Sequence, residues 1–172
     1  MGYYLVTKIR RPKDSLRQQS LIFQQINNNM FLGTYRNSID SKNRMIIPSK
    51  IRDQLGGMCV LTKGFDECLY IYTMADFEEM SDRISKLPQS DPEFREFIRD
   101  FFGNTQVCEL DSQGRVLIPQ NLRDYAHIDK ELITMGAMNK VEIWSAETRG
   151  SYDTAARMKD EAFTAKLREF GI

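Results

Sequence analysis

The stretch Asp40-Ser41-Lys42-Asn43-Arg44 returns as Asp111-Ser112-Gln113-Gly114-Arg115, 71 positions further along a chain of 172 residues. The match continues at the same offset around both stretches. Matching positions are Ile39 with Leu110, Ile47 with Ile118, Pro48 with Pro119, Arg52 with Arg123 and Asp53 with Asp124. The sequence therefore predicts two copies of one structural unit in a pseudo-symmetric body. Two equivalent arginines on such a body suit a ligand that itself repeats.

Each repeated stretch has the composition of a tight turn between two strands. Strand-like apolar patterns flank the first stretch at 31–39 and 45–47, and the second at 107–110 and 116–118. Glycine adopts a positive φ without steric cost, and asparagine is the non-glycine residue that tolerates it best. One turn geometry therefore fits both copies, and the predicted turn-shaping residues are Asp40, Asn43, Asp111 and Gly114.

The remaining pattern gives each copy further strands and helices. A short helix is predicted after each of the matching prolines, Pro48 and Pro119. The first copy then has a helix at 49–55 and a strand pair at 58–62 and 69–72. The second has a helix at 120–126 and a strand pair at 131–135 and 141–144. Gly64 and Gly136 mark the expected turns within these pairs. Between the copies, apolar stripes predict a helical hairpin, and a further stripe predicts a terminal helix that Ser145 caps.

The predicted fold class is α+β, with two pseudo-symmetric halves. Residues 1–29 are predicted to be a flexible basic extension. The first repeat spans 34–76, the helical insert 77–104, the second repeat 105–148 and the C-terminal helix 149–172.

Composition excludes several classes of protein. The formal net charge is zero, and because residues 1–29 hold five basic residues and one acid, the rest has 19 basic and 23 acidic residues. Any basic surface must therefore be local.

Three cysteines without C-x-x-C spacing predict reduced structural thiols rather than a disulfide framework or a zinc site. No apolar run has the length of a membrane span, so we expect a cytoplasmic protein.

The strongest enzymatic alternative pairs Asp40 with Asp111 as a catalytic dyad. Two carboxylates share a proton only when they repel each other, and the neighbouring arginines oppose this by favouring the ionised forms. His127 is the single histidine, and the glycines form no dinucleotide or phosphate-binding motif. The sequence therefore predicts no catalysis, no metal and no cofactor.

Arg44 and Arg115 are the predicted ligand-contacting residues. A guanidinium on a rigid turn can donate two hydrogen bonds to guanine O6 and N7, or clamp a phosphate. Lys42, Arg36 and Lys50 are predicted to contact phosphates. A structural alternative stays open, in which each aspartate accepts backbone N–H groups in its turn, while the arginine pairs with that aspartate and stabilises the hairpin.

The segment from Met30-Phe31-Leu32-Gly33-Thr34-Tyr35 into the first repeated stretch resembles the start of MraZ proteins. Residues 108–115 and Val141-Glu142-Ile143-Trp144-Ser145 are similar to the second half of that family. The resemblance covers residues 30–172. It implies two SpoVT-AbrB-type units, related to the swapped-hairpin β-barrels of AbrB and MazE.

The resemblance also implies a function. MraZ proteins are regulators, and the resemblance implies a repressor of the division and cell-wall gene cluster that binds short, guanine-containing direct repeats of double-stranded DNA as a ring-forming homo-oligomer. It places the protein at the nucleoid, and the DNA-contacting arginines on Arg44 and Arg115. The alternative is a MazE-like protein-binding module of the antitoxin type, for which we expect an extended, poorly packed tail.

This chain departs from the family pattern in two places. Asn43 replaces the usual glycine of the first motif, so we expect the first turn to be where this protein differs. Residues 1–29 have no counterpart in the pattern, and such a basic arm would add non-specific attraction to phosphates or obstruct ring assembly.

Overall fold

A computed structural model describes residues 30–152 and 154–171, so the extension predicted at 1–29 lies outside the described residues. The strands are β1 Thr34–Ser38, β2 Arg44–Ile46, β3 Met58–Lys63, β4 Leu69–Tyr72, β5 Gln106–Glu109, β6 Arg115–Leu117, β7 Glu131–Ala137 and β8 Lys140–Ser145. The helices are α1 Ser49–Leu55, α2 Met74–Ser85, α3 Pro92–Gly103, α4 Gln120–Tyr125, α5 Ala146–Ser151, α6 Thr154–Lys159 and α7 Glu161–Glu169.

Six strands form one antiparallel sheet in the order β1-β7-β8-β4-β3-β5. Reading this order backwards exchanges every strand with its counterpart in the other half. The pseudo-two-fold axis therefore passes between β4 and β8. It also passes through a two-stranded ribbon, β2–β6, in which Met45 faces Val116, its own counterpart at the 71-residue offset.

The first strand of each half pairs with the other half. β1 pairs with β7, and β5 pairs with β3, so each half donates a strand to its partner half. This exchange confirms the predicted α+β fold with two pseudo-symmetric swapped-hairpin halves. Neither half has a complete sheet alone, so we expect the two halves to fold as one cooperative unit.

The main core lies between the six-stranded sheet and a layer made of the ribbon, α1 and α4. Met45 and Val116 are buried at its centre, and the side chains around them come equally from both halves: Ile47, Ile51, Leu61, Ile71, Ile118, Leu122, Leu132 and Ile143. Because Met45 and Val116 anchor the ribbon in the core, the residues on either side of them in each strand face away from the core.

The helical insert and α5 cover the outer face of the sheet. Thr73 caps α2 by accepting a hydrogen bond from the Asp76 amide at 3.0 Å, and Asp91 caps α3 in front of Pro92. Phe77 and Met80 from α2 pack on a second buried cluster that includes Tyr70 and Trp144. The predicted helical hairpin is present.

The predicted position of one turn was wrong. Gly136 lies inside β7 rather than in a turn, and glycine is required there because the backbone of Phe31 and Leu32 lies so close that a Cβ would collide. The turn falls instead at Met138, whose φ is 63°.

The tail expected as a single helix is three short helices. Extended backbone at Tyr152 ends α5, and the Asp160 side chain starts α7 by accepting from the Phe163 amide at 2.9 Å. None of the described residues of α6 and α7 is buried. The tail therefore keeps exposed aromatic side chains, with Phe163 38% and Phe170 82% accessible.

Candidate nucleic-acid interface

The two repeated stretches form turns with matching hydrogen bonds. In the first, the Asn43 amide donates to the Asp40 carbonyl at 2.9 Å, and the Asp40 amide donates to the Arg44 carbonyl at 2.8 Å. In the second, Gly114 donates to Asp111 at 2.8 Å, and Asp111 donates to Arg115 at 3.0 Å.

The left-handed residue of each turn is the one that the sequence singled out. Asn43 has a φ of 60° and Gly114 a φ of 72°. The expectation that Asn43 alters the first turn was wrong for the backbone, since the two turns share both φ and hydrogen bonds. The halves differ here in a side chain rather than in backbone shape.

Each aspartate holds its turn with one oxygen. Asp40 Oδ1 accepts from the Lys42 amide at 2.8 Å and from the Arg44 amide at 3.0 Å. Asp111 Oδ1 accepts in the same way from Gln113 at 2.9 Å and Arg115 at 3.0 Å. This is the side-chain mimicry of a backbone turn that favours aspartate at such positions.

The second oxygen of each aspartate accepts from arginine. Arg44 donates from Nε at 3.0 Å and from Nη2 at 2.8 Å to Asp40, and from Nη1 at 3.4 Å to Asp111. Arg115 reciprocates, with Nε 2.8 Å from Asp111 and Nη1 3.4 Å from Asp40. We call Asp40, Arg44, Asp111 and Arg115 the turn quartet.

The turn quartet keeps its aspartates ionised. Hydrogen bonds from the Arg44 amide and then from its side chain lower the pKa of Asp40 from 3.8 to about 2. The Arg115 amide, followed by its side chain, lowers the pKa of Asp111 as well. Since both carboxylates carry arginine partners, they lack the mutual repulsion that a proton-sharing dyad requires.

The arginines are held from behind but not enclosed. The side chains of Arg44 and Arg115 are 26% and 20% accessible. A guanidinium has five N–H donors, and in the described part of the chain Arg44 uses three of them on carboxylates and Arg115 uses two. Donors therefore remain for a ligand in front of each arginine.

Backbone contacts between the halves fix the two turns relative to each other. The Ile47 amide donates to the Gly114 carbonyl at 2.9 Å, and the Ile118 amide donates to the Asn43 carbonyl at 3.0 Å. Together with the pairing of β2 and β6, these bonds fix the two turns, and with them Arg44 and Arg115, in one position relative to each other.

The outward face of the ribbon also presents two aliphatic side chains. Met45 and Val116 point into the core, so their neighbours Arg44, Ile46, Arg115 and Leu117 point outwards. Ile46 is 54% accessible and Leu117 is 52% accessible.

The predicted phosphate-contacting residues lie at different places. Lys42 is exposed at the tip of the first turn, beside the turn quartet. Lys50 is exposed on α1, beside a hollow that it shares with Tyr35 and Asp53. Arg36 is exposed on the side of β1 opposite to Tyr35, which packs on the core. The structure therefore brings Lys42 to the turns, but not Arg36.

Arg52 lies closer to the second turn than its position on α1 suggested. Its Nη1 donates to the Gln113 carbonyl at 3.4 Å, and its side chain covers Gly114, where a Cβ would collide with it. Its counterpart Arg123 donates instead to Gln120 on its own helix. Because only one of the two equivalent arginines makes this contact among the described residues, the repeat of arginine in the sequence did not predict it.

The described residues give no support for other chemistries. His127 is exposed, with Nε2 3.5 Å from the Glu67 carboxylate. Within 30–152 and 154–171, no three His, Cys, Asp or Glu side chains are grouped to hold a metal ion. No helix in the same residues is long and apolar enough to cross a membrane.

Comparison with known proteins gives a consistent result. The family described as "MraZ protein, putative antitoxin-like" matches this chain twice, over residues 30–100 and 101–169. A protein of Alkaliphilus metalliredigens named "Transcriptional regulator MraZ" is 41% identical over 143 residues, which is 83% of this chain and 100% of the relative. Relatives of the same name from Clostridium tetani and Moorella thermoacetica are 44% and 43% identical, with the same coverage. These names describe regulators and not enzymes.

Proposed function

The chain belongs to the MraZ family, and we propose that it is a transcriptional regulator that binds double-stranded DNA with the outward face of the β2–β6 ribbon. One observation carries this proposal: Arg44 and Arg115 are held in equivalent positions by a shared set of carboxylates. Two fixed guanidiniums related by a pseudo-two-fold axis are suited to a double helix, which presents equivalent groups at regular intervals.

The aspartates of the turn quartet orient the arginines for base readout. Charge-assisted hydrogen bonds are stronger and more directional than neutral ones, so each guanidinium loses little freedom when it meets a base. Its remaining donors can contact guanine O6 and N7 in the major groove. In this arrangement the structural and DNA-contacting roles of the arginines are compatible.

Attraction to phosphates must come from outside the turn quartet, because two arginines and two aspartates cancel. Lys42 adds a positive charge on the first turn, and Arg52 adds one over the second turn. Lys50 and Arg36 would contact phosphates further from the axis. Such contacts fix the register on the duplex and carry no sequence information.

We further propose the properties that the family resemblance implies. The protein acts in the cytoplasm at the nucleoid, as a repressor of the division and cell-wall gene cluster, on short guanine-containing direct repeats. It assembles into a ring, without a cofactor or small-molecule substrate. The exposed aromatic side chains of the tail, Phe163 and Phe170, support self-association. In a ring, several DNA-binding turns are tethered together, so binding of one raises the effective concentration of the others along a repeated operator. This gain offsets the weak electrostatic attraction of a protein with no net positive charge.

A second candidate function is a MazE-like protein-binding module. None of the described residues of α6 and α7 is buried, which resembles the poorly packed tail expected for such a module. The family description also contains the word antitoxin. The helical form of the tail, with Phe163 and Leu167 one turn apart, favours docking on a subunit over an extended partner-binding arm.

A DNA shift assay across a salt series tests the proposal. The wild type, Arg44→Ala, Arg115→Ala and the double variant are compared on duplexes enriched from a random-sequence pool. Arg99→Ala, which removes an exposed charge on the insert, is the matched control. We expect specific binding that the double variant loses and the control keeps. Unchanged binding by the double variant would remove the proposed readout, and a wild type without specific binding would favour the protein-binding module.

A further inference from the structure

Ile46 and Leu117 are exposed aliphatic side chains in an otherwise polar, ion-paired surface. Each is more than half accessible, at 54% and 52%, and the two occupy equivalent positions in the two halves. Their strands have only three residues each, and the middle residue of each strand is buried. The pair lies on the same face of the ribbon as Arg44 and Arg115, so a ligand bound by the arginines would also meet these two side chains.

Each aliphatic residue is the cross-strand neighbour of an arginine from the other half. Ile46 lies opposite Arg115, and Leu117 lies opposite Arg44. Directly opposite side chains in an antiparallel pair have Cβ atoms roughly 5 Å apart. That separation is between one and two base-pair steps of roughly 3.4 Å each. A base contacted by Leu117 is therefore a near neighbour of the base contacted by Arg44.

The major groove is the surface that fits this ribbon. It admits a two-stranded β-ribbon, and it is where guanine presents O6 and N7. The same groove carries the C5-methyl group of thymine, the apolar group by which a side chain distinguishes thymine from the other bases. The minor groove is narrower and presents no methyl group. The arginines of the ribbon can therefore contact guanines, and the aliphatic side chains beside them can contact the methyl groups of neighbouring thymines.

We propose that Ile46 and Leu117 contact thymine methyl groups next to the guanines bound by Arg115 and Arg44. The inference rests on the proposed DNA-binding function and adds specificity-determining residues to it. The preferred site then has a thymine within two base pairs of each contacted guanine. The two halves differ slightly, since isoleucine is β-branched and leucine is not.

Replacement of thymine by deoxyuridine, which lacks only the methyl group, tests this inference. Duplexes enriched from a random pool by the wild type are resynthesised with deoxyuridine at single thymine positions, and dissociation constants are measured for each protein. The loss of one buried methyl contact corresponds to about a fourfold weaker constant. We expect this penalty at two thymines of each bound repeat for the wild type, at only one of them for Ile46→Ala, and at the other for Leu117→Ala. Leu32→Ala, which removes an equally exposed leucine outside the ribbon, should keep both penalties.

The other outcomes separate the two proposals. Specific binding with no deoxyuridine penalty, or with penalties that both alanine variants retain, overturns the thymine contact and leaves the DNA-binding function intact. An enriched site without thymine near its guanines does the same. A lower oligomeric mass of either alanine variant by light scattering would instead assign the pair to a subunit interface and overturn the inference. Absence of any specific DNA binding by the wild type would overturn both proposals.

Discussion

The guanidinium of Arg44 lies 3.4 Å from the carboxylate of Asp111, although the two residues are 67 positions apart in the chain. The reciprocal pair, Arg115 and Asp40, has the same distance. Each arginine is thus oriented by two aspartates, one from each half. The duplication has produced one composite site at the axis rather than two independent turns.

Low pH should weaken this composite site. The pKa of Asp40 in the folded chain is about 2, below its ordinary value of 3.8, so its ionised form stabilises the fold above pH 3.8. That contribution is lost as the pH falls through about 2. We expect the free energy of unfolding in urea to fall between pH 5 and pH 2 for the wild type, and less steeply for Asp40→Asn. Equal slopes for the two proteins would show that Asp40 is not held by the turn quartet.

The left-handed turn positions should differ in what they tolerate. Gly114→Ala places a side chain at a φ of 72° and displaces Arg52, so we expect a loss of about 1–2 kcal/mol in the free energy of unfolding from the backbone strain alone. Asn43→Gly keeps a residue that accepts positive φ, and should stay within about 0.5 kcal/mol of the wild type. Chemical denaturation measures both, and a Gly114→Ala protein as stable as the wild type would contradict the left-handed backbone at this position.

Phosphate contacts should appear in the salt dependence of DNA binding. Each contact that is lost lowers the slope of log affinity against log salt by about 0.9. We expect Lys42→Ala to show this full change on any duplex sequence, because Lys42 lies at the turn. Lys50→Ala and Arg36→Ala should show smaller changes, since neither side chain faces the ribbon. A sequence-dependent effect of Lys42→Ala would indicate base contact instead.

Two of the three thiols should be protected in the folded protein. Burial raises the pKa of both Cys59 and Cys68 to about 12, so almost none of either is thiolate at pH 8. We expect neither to react with a disulfide reagent in native buffer, and all three cysteines to react in urea. A Cys108→Ser variant isolates the two buried thiols. Rapid native labelling of that variant would mean that β3 and β4 open readily.

The sequence predicted the local features of the site because they depend on neighbouring residues. A positive φ at Asn43 and the capture of backbone amides by Asp40 both follow from residues within four positions of each other. The exchange of β1 and β5 between halves came from the family resemblance and not from strand patterns, which do not identify a strand's partner.

Long-range packing accounts for what could not be predicted. The pairing of Arg44 with Asp111 exists only because β2 and β6 meet at the axis, and no local pattern encodes that meeting. The need for glycine at position 136, inside β7, comes from the close approach of the backbone at Phe31, 105 positions earlier. The exposed pair Ile46 and Leu117 has the same composition as a core pair, and only the burial of Met45 and Val116 reveals its direction.

The central claim is that Arg44 and Arg115 read bases with forked hydrogen bonds rather than supply charge. The most direct test is the ratio of specific to non-specific DNA affinity for the wild type and for Arg44→Lys/Arg115→Lys, measured at one salt concentration. Lysine keeps the charge but not the planar fork. We predict a ratio that falls by about 10-fold or more in the double variant, since each bidentate contact contributes about 1–3 kcal/mol of discrimination, while non-specific affinity is unchanged. A double variant with the wild-type ratio would contradict the account.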